Sequence, residues 1–220
     1  MEEVFKFLEL ILRNNNREWF QQNKELYLKA QAKINEMAEQ LVAGVSEFDP
    51  SCAGLSLKDV TYRIYRDTRF SNDKRPYKTH FGIFVCPEGK KSMLAGYYLH
   101  LETPDSEYLG GNGLHVGMYM PDKDIIRAVR NDILFKGADF EKAIKKAKDF
   151  TLNTENNLSR IPCGFPKDNK YSEYLKMRDY MISRDIPENI AKSDELVNWA
   201  VNEFKQTYDF TRFLNEAAKS

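Results

Sequence analysis

Cysteine is scarce in this chain of 220 residues, which contains three, Cys52, Cys86 and Cys163. They form no CxxC pair, so their spacing matches neither a zinc-binding nor a redox motif. An odd number of isolated thiols is typical of a reducing compartment, where disulfides rarely persist. The chain also opens on MEE, with two acidic residues where a secretory leader would be basic. These features together predict a cytoplasmic protein.

The chain has no excess of either charge. Thirty-three Lys and Arg residues balance 33 Asp and Glu residues, and the isoelectric point is near 6.8. A domain that binds nucleic acid through its phosphates usually has an isoelectric point above about 9 or an extended basic face. The longest early apolar run, Phe5–Leu12, is interrupted by Lys6 and Glu9 and is far short of the ~20 residues that span a membrane. Neither nucleic acid nor a membrane is therefore an expected partner.

Several motifs of catalysis and metal binding are absent as well. The sequence contains no HxH or HExxH metal motif, no GxGxxG or P-loop glycine pattern, and no GxSxG nucleophile turn. We therefore expect no metal ion and no cofactor. The sequence leaves open whether the protein is an enzyme, which reaction it would catalyse and what its oligomeric state is.

The apolar residues present, 42% of the chain with 13% aromatic, are sufficient for a large core. Apolar spacings of three and four predict helices over residues 2–13 and about 18–45, with Asn16 as an N-cap. Further helices are predicted over 122–134, 137–150, 172–183 and 193–217. The candidate strands are Val60–Arg66, Thr79–Cys86, Met93–Glu102, Tyr108-Leu109 and Leu114–Met120. Consecutive strands with short connections predict a central antiparallel sheet of four to five strands over about residues 58–120, packed by helices in a single α+β domain over residues 1–220.

Residues 61–80, TYRIYRDTRFSNDKRPYKTH, form the strongest candidate site. Six basic and two acidic side chains give this segment a net charge of +4 in a chain whose total is zero. The planar fork of arginine suits carboxylate and phosphate groups, so the segment predicts a site for a small anionic molecule. The expected ligand-binding residues are Arg63, Arg66, Asp67, Arg69, Lys74, Tyr77 and Lys78, with Asp67 holding one guanidinium in place.

Two other interpretations of the same segment stay open. Aromatic residues between the basic ones suit the stacking of single-stranded nucleic acid, or a protein partner. Alternation along a strand would then place Tyr62 in the core and leave Tyr65 and Tyr77 exposed for that role. The other alternative is a purely structural network of arginines and aspartates at the surface.

The three histidines, His80, His100 and His115, all fall in the predicted strand region. His100 and Glu102 share one face by the two-residue period of a strand, so the carboxylate is placed to orient the imidazole. His100 or His80 is therefore the candidate general acid or base, with Glu102 as its partner. The turn at residues 110–113, GGNG, is either a hairpin turn that needs positive φ or a set of backbone donors for a ligand.

Several runs in this chain resemble the signature of a conserved hypothetical family, the domain of unknown function 2461. The main run is RDTRFS at residues 66–71, with DK at 73–74 and PYKTH at 76–80; N-x-REWF at 15–20, YYLHLE at 97–102, GFPKD at 164–168 and FLN at 213–215 also match. The resemblance covers nearly the whole chain. It implies family membership, and it brings no activity, cofactor or site residue with it.

Overall fold

Five antiparallel strands form one sheet in the computed structural model, which describes residues 1–106 and 108–220. The strand order is β1-β2-β3-β5-β4. The strands are β1 (His80–Val85), β2 (Gly96–Glu102), β3 (Gly113–Met118), β4 (Thr151–Leu152) and β5 (Tyr180–Asp185). With helices on both sides of these strands in the chain, the predicted α+β class and five-stranded antiparallel sheet are confirmed.

Helices precede and follow the sheet in sequence. Before it come α1 (Glu2–Arg13), α2 (Arg17–Gln22), α3 (Lys24–Phe48), a 3-10 turn (Pro50–Cys52) and the single turn α4 (Leu57–Val60). After β3 come α5 (Lys123–Lys146), α6 (Ser172–Leu175), α7 (Glu188–Ala191), α8 (Leu196–Gln206) and α9 (Tyr208–Ala218). As predicted, Asn16 caps α2, and its side chain accepts a hydrogen bond from the Trp19 backbone N–H at 2.9 Å. Among the helices described, none is both long and apolar enough to cross a membrane.

One face of the sheet is covered by helices. α3 packs against β1, and α8 and α9 pack against β3. The residues that meet them alternate along each strand; Ile83, Leu99, Val116 and Ile182 are examples, each at most 1% exposed. Since successive side chains of a strand point to opposite faces, the intervening residues belong to the other face, which these helices leave open.

The open face carries polar and small residues. Gly82 of β1 pairs with His100 of β2, and Tyr98 of β2 pairs with His115 of β3. His80 lies two residues before Gly82 and therefore on the same face. The strand register thus brings all three histidines of the chain to one surface.

The predicted strand Val60–Arg66 is wrong. Its first residue ends α4, and among the described residues the rest forms isolated bridges at Thr61 and Tyr65 and no strand. The Asp59 side chain accepts a hydrogen bond from the Ser56 backbone N–H at 2.9 Å. This helix-capping contact stabilises a helical turn where the alternation of side chains indicated an extended chain.

The predicted helix over 172–183 is wrong in its second half. α6 ends at Leu175, and residues 180–185 form β5, which pairs with β3. Tyr180 and Ile182 are fully buried on the helix-covered face of the sheet, so their burial there favours a strand over a helix. The pair Tyr108-Leu109, predicted as a strand, lies in a bend. The sheet therefore takes three strands from residues 58–120 and completes itself with β4 and β5.

The other helical segments differ from prediction in their boundaries. The segment predicted over about 18–45 divides at Asn23 into α2 and α3, and the one over 193–217 divides at Thr207 into α8 and α9. The two segments over 122–150 join into α5, with a non-helical residue, Lys136, at the junction.

Gly117 of β3 provides a test of this sheet. Its φ is +127°, and a Cβ there would lie 1.9 Å from the carbonyl oxygen of Tyr180 in β5. Because that oxygen belongs to the paired backbone, Gly117→Ala should lower the free energy of unfolding by about 3 kcal/mol or more.

Gly110→Ala is the matched control, since Gly110 also has a positive φ, +85°, but its Cβ would meet no atom of the described residues within 4 Å. Its loss should be about 1 kcal/mol. Urea unfolding followed by circular dichroism measures both values, and equal losses would contradict the strand register.

Candidate functional site

A cavity of about 510 Å³ lies over the open face of the sheet. Gly82, Tyr98 and His115 form its floor, and Tyr62 and Lys78 from the segment 61–80 lie at one side. The strands position the floor, because register and alternation bring these residues to one surface. The cavity thus joins part of the basic segment to the histidine-bearing face.

Two cations of the predicted site, Arg63 and Lys78, line this cavity. The Lys78 ammonium lies 4.9 Å from the centroid of the Tyr62 ring. Burial lowers the pKa of Lys78, and the positive charges of Arg63 and Lys90 lower it further. Within residues 1–106 and 108–220, neither Arg63 nor Lys78 has a carboxylate oxygen within 4.0 Å. In the described chain both cations therefore lie at the cavity without an ion pair, and the carboxylates of Glu155 and Asp179 also line it.

Other charged residues of the segment pair with one another at the surface. Asp73 contacts Arg66 at 2.6 Å and Arg75 at 2.8 Å, and Asp67 contacts Arg69 at 2.7 Å. Hydrogen bonds from Arg69 lower the pKa of Asp67 to about 2, and those from Arg75 and then Arg66 hold the pKa of Asp73 well below its usual range. Asp67 thus holds the guanidinium of Arg69, as predicted. Exposed pairs of this kind contribute little to the stability of the fold. Their effect is local, because they hold the side chains of the loop in one arrangement.

Two further contacts anchor the segment. The Asn15 side chain accepts a hydrogen bond from the Tyr77 backbone N–H at 3.0 Å and donates one to the Tyr77 carbonyl oxygen at 2.9 Å. The Lys74 ammonium donates to the carbonyl oxygen of Thr68 at 3.0 Å across the loop. Lys78, which follows the Asn15 clamp, is therefore held at the edge of the cavity.

Tyr65 is 47% exposed, as predicted, whereas Tyr62 and Tyr77 are placed differently from the prediction. Tyr77 is 2% exposed and stacks on Phe20 with ring centroids 4.1 Å apart, and Tyr62 is 37% exposed at the cavity. The alternation that predicted a buried Tyr62 does not apply, because residues 61–66 do not form a strand. Tyr77 instead lines a second, smaller cavity of about 290 Å³ together with Arg66 and His80.

Three residues of β2 form a polar line along the open face. The Tyr98 hydroxyl lies 3.1 Å from His100 Nδ1. His100 Nε2 lies 3.3 Å from Glu102 Oε2, an ion-pair distance without the alignment of a full hydrogen bond. His100 and Glu102 are both fully buried, so Tyr98 is the member of the line that reaches the cavity.

Glu102 is a buried carboxylate with several donors. Its Oε1 accepts hydrogen bonds from the backbone N–H groups of Gly111 at 2.6 Å and Leu109 at 3.1 Å, and Ser106 donates to Oε2 at 3.0 Å. Burial raises the pKa of Glu102, but the contact with His100 and the hydrogen bonds from Gly111 and Ser106 outweigh it and lower the pKa to about 2. The glycine turn therefore donates to an internal carboxylate.

His80 and His115 flank this line. Burial, followed by repulsion from His100, lowers the pKa of His80 to about 3 and that of His115 to about 4. The His80 ring stacks on Tyr108 with centroids 4.0 Å apart, and it lies 5.0 Å from the His100 ring. His80 Nδ1 and His115 Nε2 are buried without a hydrogen-bond partner in the described chain. No group of three His, Cys, Asp or Glu residues in that part of the chain is placed to hold a metal ion.

Sequence reasoning missed four tyrosines of the cavity, Tyr62, Tyr98, Tyr108 and Tyr119. Tyr98 had a signal, because it precedes His100 by two residues in a predicted strand and so shares its face. Tyr108 had none, since its position depends on how the chain after β2 folds around Glu102.

The lowered pKa values of His80 and His115 predict that acid destabilises the fold. An unfolded histidine has a pKa of about 6.5, so below pH 6.5 the unfolded chain takes up protons that the folded protein does not. The free energy of unfolding then falls as the pH falls. Each histidine should contribute up to about 1.4 kcal/mol per pH unit to this decline.

His80→Gln and His115→Gln should each flatten the decline between pH 6.5 and 5.5, where few carboxylates titrate. Urea unfolding at half-unit pH steps would measure the slopes, with pH 7 to 8 as the reference range. Parallel wild-type and variant curves would show that both imidazoles titrate normally in the folded protein.

A family model described as a conserved hypothetical protein (DUF2461) matches residues 3–213. The matched range includes all five strands, the segment 61–80 and the polar line of β2. No curated protein and no solved structure matches the chain. The resemblance in the sequence is thereby confirmed, and the chain belongs to the DUF2461 family of conserved hypothetical proteins.

Proposed function

We propose that this protein binds a small molecule that carries a phosphate or carboxylate group on an aromatic or apolar body. The observation that carries the proposal is the pair Arg63 and Lys78, two cations that form no ion pair in the described chain and line an aromatic cavity. The volume, about 510 Å³, lies within the range of ligand pockets, about 300–1,000 Å³. An anionic ligand group would give both cations the ion pair that they lack in the described chain.

An anion would relieve the cost of burying Lys78. Its pKa is lowered because the charged ammonium loses solvation and lies near Arg63 and Lys90. An opposite charge within about 4–6 Å stabilises the charged form. Arg63 adds a planar fork that can donate two parallel hydrogen bonds to one anionic group.

The rest of the cavity suits a flat, largely apolar body. Tyr62, Phe84, Tyr98 and Tyr108 supply ring surface around it. A well-placed aromatic pair contributes about 0.5–1.5 kcal/mol beyond the area that it buries. His115, neutral near pH 7 because its pKa is about 4, adds a polar edge without adding charge.

The remaining basic residues of the segment contribute to this proposal indirectly. Arg66 and Arg69 form ion pairs within the loop, with Asp73 and Asp67, as the structural-network interpretation expects. They order the chain that presents Arg63 and Lys78. The proposed anion site therefore occupies the beginning and the end of the segment, and the ion-paired loop lies between them.

Phe70 favours a second candidate function, the binding of single-stranded nucleic acid or a protein by the loop tip. Its side chain is 94% exposed, and the Arg69 guanidinium lies 5.5 Å from its ring centroid. Exposed aromatic and basic side chains together suit base stacking. This candidate ranks second because Asp67 and Asp73 offset much of the positive charge of the loop.

Titration with phenyl phosphate, which joins an aromatic ring to a phosphate, tests the first candidate. Lys78→Ala and Arg63→Ala should each weaken its binding by about 10- to 150-fold, the scale of a charged hydrogen bond of about 1.5–3 kcal/mol. Isothermal titration calorimetry at fixed ionic strength would measure the dissociation constants.

Arg69→Ala is the matched control, because it removes the same charge from an exposed residue paired with Asp67. Its binding should equal that of the wild type, and inorganic phosphate should bind more weakly than phenyl phosphate. Equal losses of affinity in all three variants would show that net surface charge, and not the cavity, determines binding. Salt-sensitive binding of a single-stranded oligothymidylate, abolished by Phe70→Ala and retained by Lys78→Ala, would favour the second candidate instead.

A further inference from the structure

We propose that Tyr98 is the proton-transfer group of the cavity, and that it acts through the line Tyr98–His100–Glu102. Tyr98 lines the cavity, whereas His100 and Glu102 are fully buried behind it. The inference rests on the proposed function, because a proton-transfer group needs a ligand in the cavity. It changes the expected roles of His100 and Glu102, which act on a ligand through Tyr98.

The donors around Glu102 set the direction of the relay. Backbone N–H groups of Gly111 and Leu109 and the hydroxyl of Ser106 all donate to its carboxylate. An ionised carboxylate only accepts hydrogen bonds, and its negative charge 3.3 Å from His100 Nε2 favours the ring proton on that nitrogen. His100 Nδ1 then holds the lone pair and accepts from the Tyr98 hydroxyl at 3.1 Å.

The proton balance follows from this tautomer. When a ligand X–H group gives its proton to Tyr98 Oη, the hydroxyl proton of Tyr98 passes to His100 Nδ1. Glu102 stabilises the resulting imidazolium, and the ligand retains the electron pair of its broken X–H bond. The reverse sequence returns the proton to the ligand, so one line supplies both a general base and a general acid.

Gly82 leaves the space that the Tyr98 ring and hydroxyl occupy. A Cβ at Gly82 would lie 2.3 Å from the Tyr98 hydroxyl oxygen and 2.7 Å from the ring carbon that bears it. Only glycine lets the ring lie across β1, with its hydroxyl against His100, the residue paired with Gly82. Gly82 is therefore a positioning residue of the relay.

In the described chain, the contact with the Tyr98 hydroxyl is the hydrogen bond that links His100 to the cavity. Tyr98 and Glu102 meet its two ring nitrogens from its own strand. The rings of His80 on β1, His115 on β3 and Tyr108 lie 5.0, 6.3 and 5.9 Å from its ring centroid, and none of them is hydrogen-bonded to it among the described residues.

A covalent probe, benzenesulfonyl fluoride, tests the relay without a known substrate. Tyr98 Oη would bond to the sulfur, fluoride would leave with the S–F electron pair, and the hydroxyl proton would pass to His100. Peptide mass spectrometry should find Tyr98 modified about tenfold faster or more than Tyr62 or Tyr108, tyrosines of the same cavity. His100→Gln and Gly82→Ala should each remove that advantage.

Nitrogen NMR of the His100 ring keeps the inference testable if His100→Gln does not fold. The wild type should show the Nε2–H tautomer, and Tyr98→Phe should shift the Nδ1 resonance towards that of an unbonded lone pair, with Nε2 unchanged. A protonated Nδ1 in the wild type, or equal labelling of the three tyrosines, would overturn the relay. Phenyl phosphate binding at Lys78 is measured separately, so either proposal can fail alone.

Discussion

The buried carboxylate of Glu102 organises the candidate site. A carboxylate taken out of water costs several kcal/mol unless donors surround it, and the chain after β2 supplies them from Ser106, Leu109 and Gly111. That requirement folds the stretch between β2 and β3 back onto the end of the sheet. Tyr108 is thereby placed over His80, and His100 gains an ionised partner on its far side. The cavity wall and the polar line both depend on this one group.

A one-sided sheet is the second constraint. Helices cover the aliphatic face and bury residues such as Ile83 and Val116, so the chemical groups have only the other face to occupy. Three strands contribute one histidine each, and the register sets them side by side. Burial then keeps His80 and His115 neutral, with pKa values of about 3 and 4. The face is therefore polar and aromatic, and its positive charge comes from the segment at its edge.

Several cations of the basic segment are held in ion pairs, so its number of basic residues overstates how many could contact a ligand. Arg66, Arg69 and Arg75 are neighbours of Asp67 and Asp73 in sequence, and in the structure they pair with them. Arg63 and Lys78 lie outside that network because the chain turns between them and Asn15 clamps the return at Tyr77. Composition alone indicated an anion site in this segment, and the distribution of ion pairs decided which cations are available for one.

The sequence by itself determined the α+β class, the antiparallel sheet, the family and the shared face of His100 and Glu102, because these follow from local periodicity and short motifs. It did not determine that residues 61–66 leave the sheet, that β5 completes it, or that Tyr77 is buried and Tyr62 exposed. Those outcomes depend on contacts between distant segments, such as Asn15 with Tyr77 and β3 with β5. The scarcity of cysteine and the balance of charge excluded broad classes of protein, whereas tertiary packing alone brought Lys78, Tyr98 and His115 around one cavity. Side chains remote in sequence meet only when the whole core closes, and no local pattern encodes that meeting.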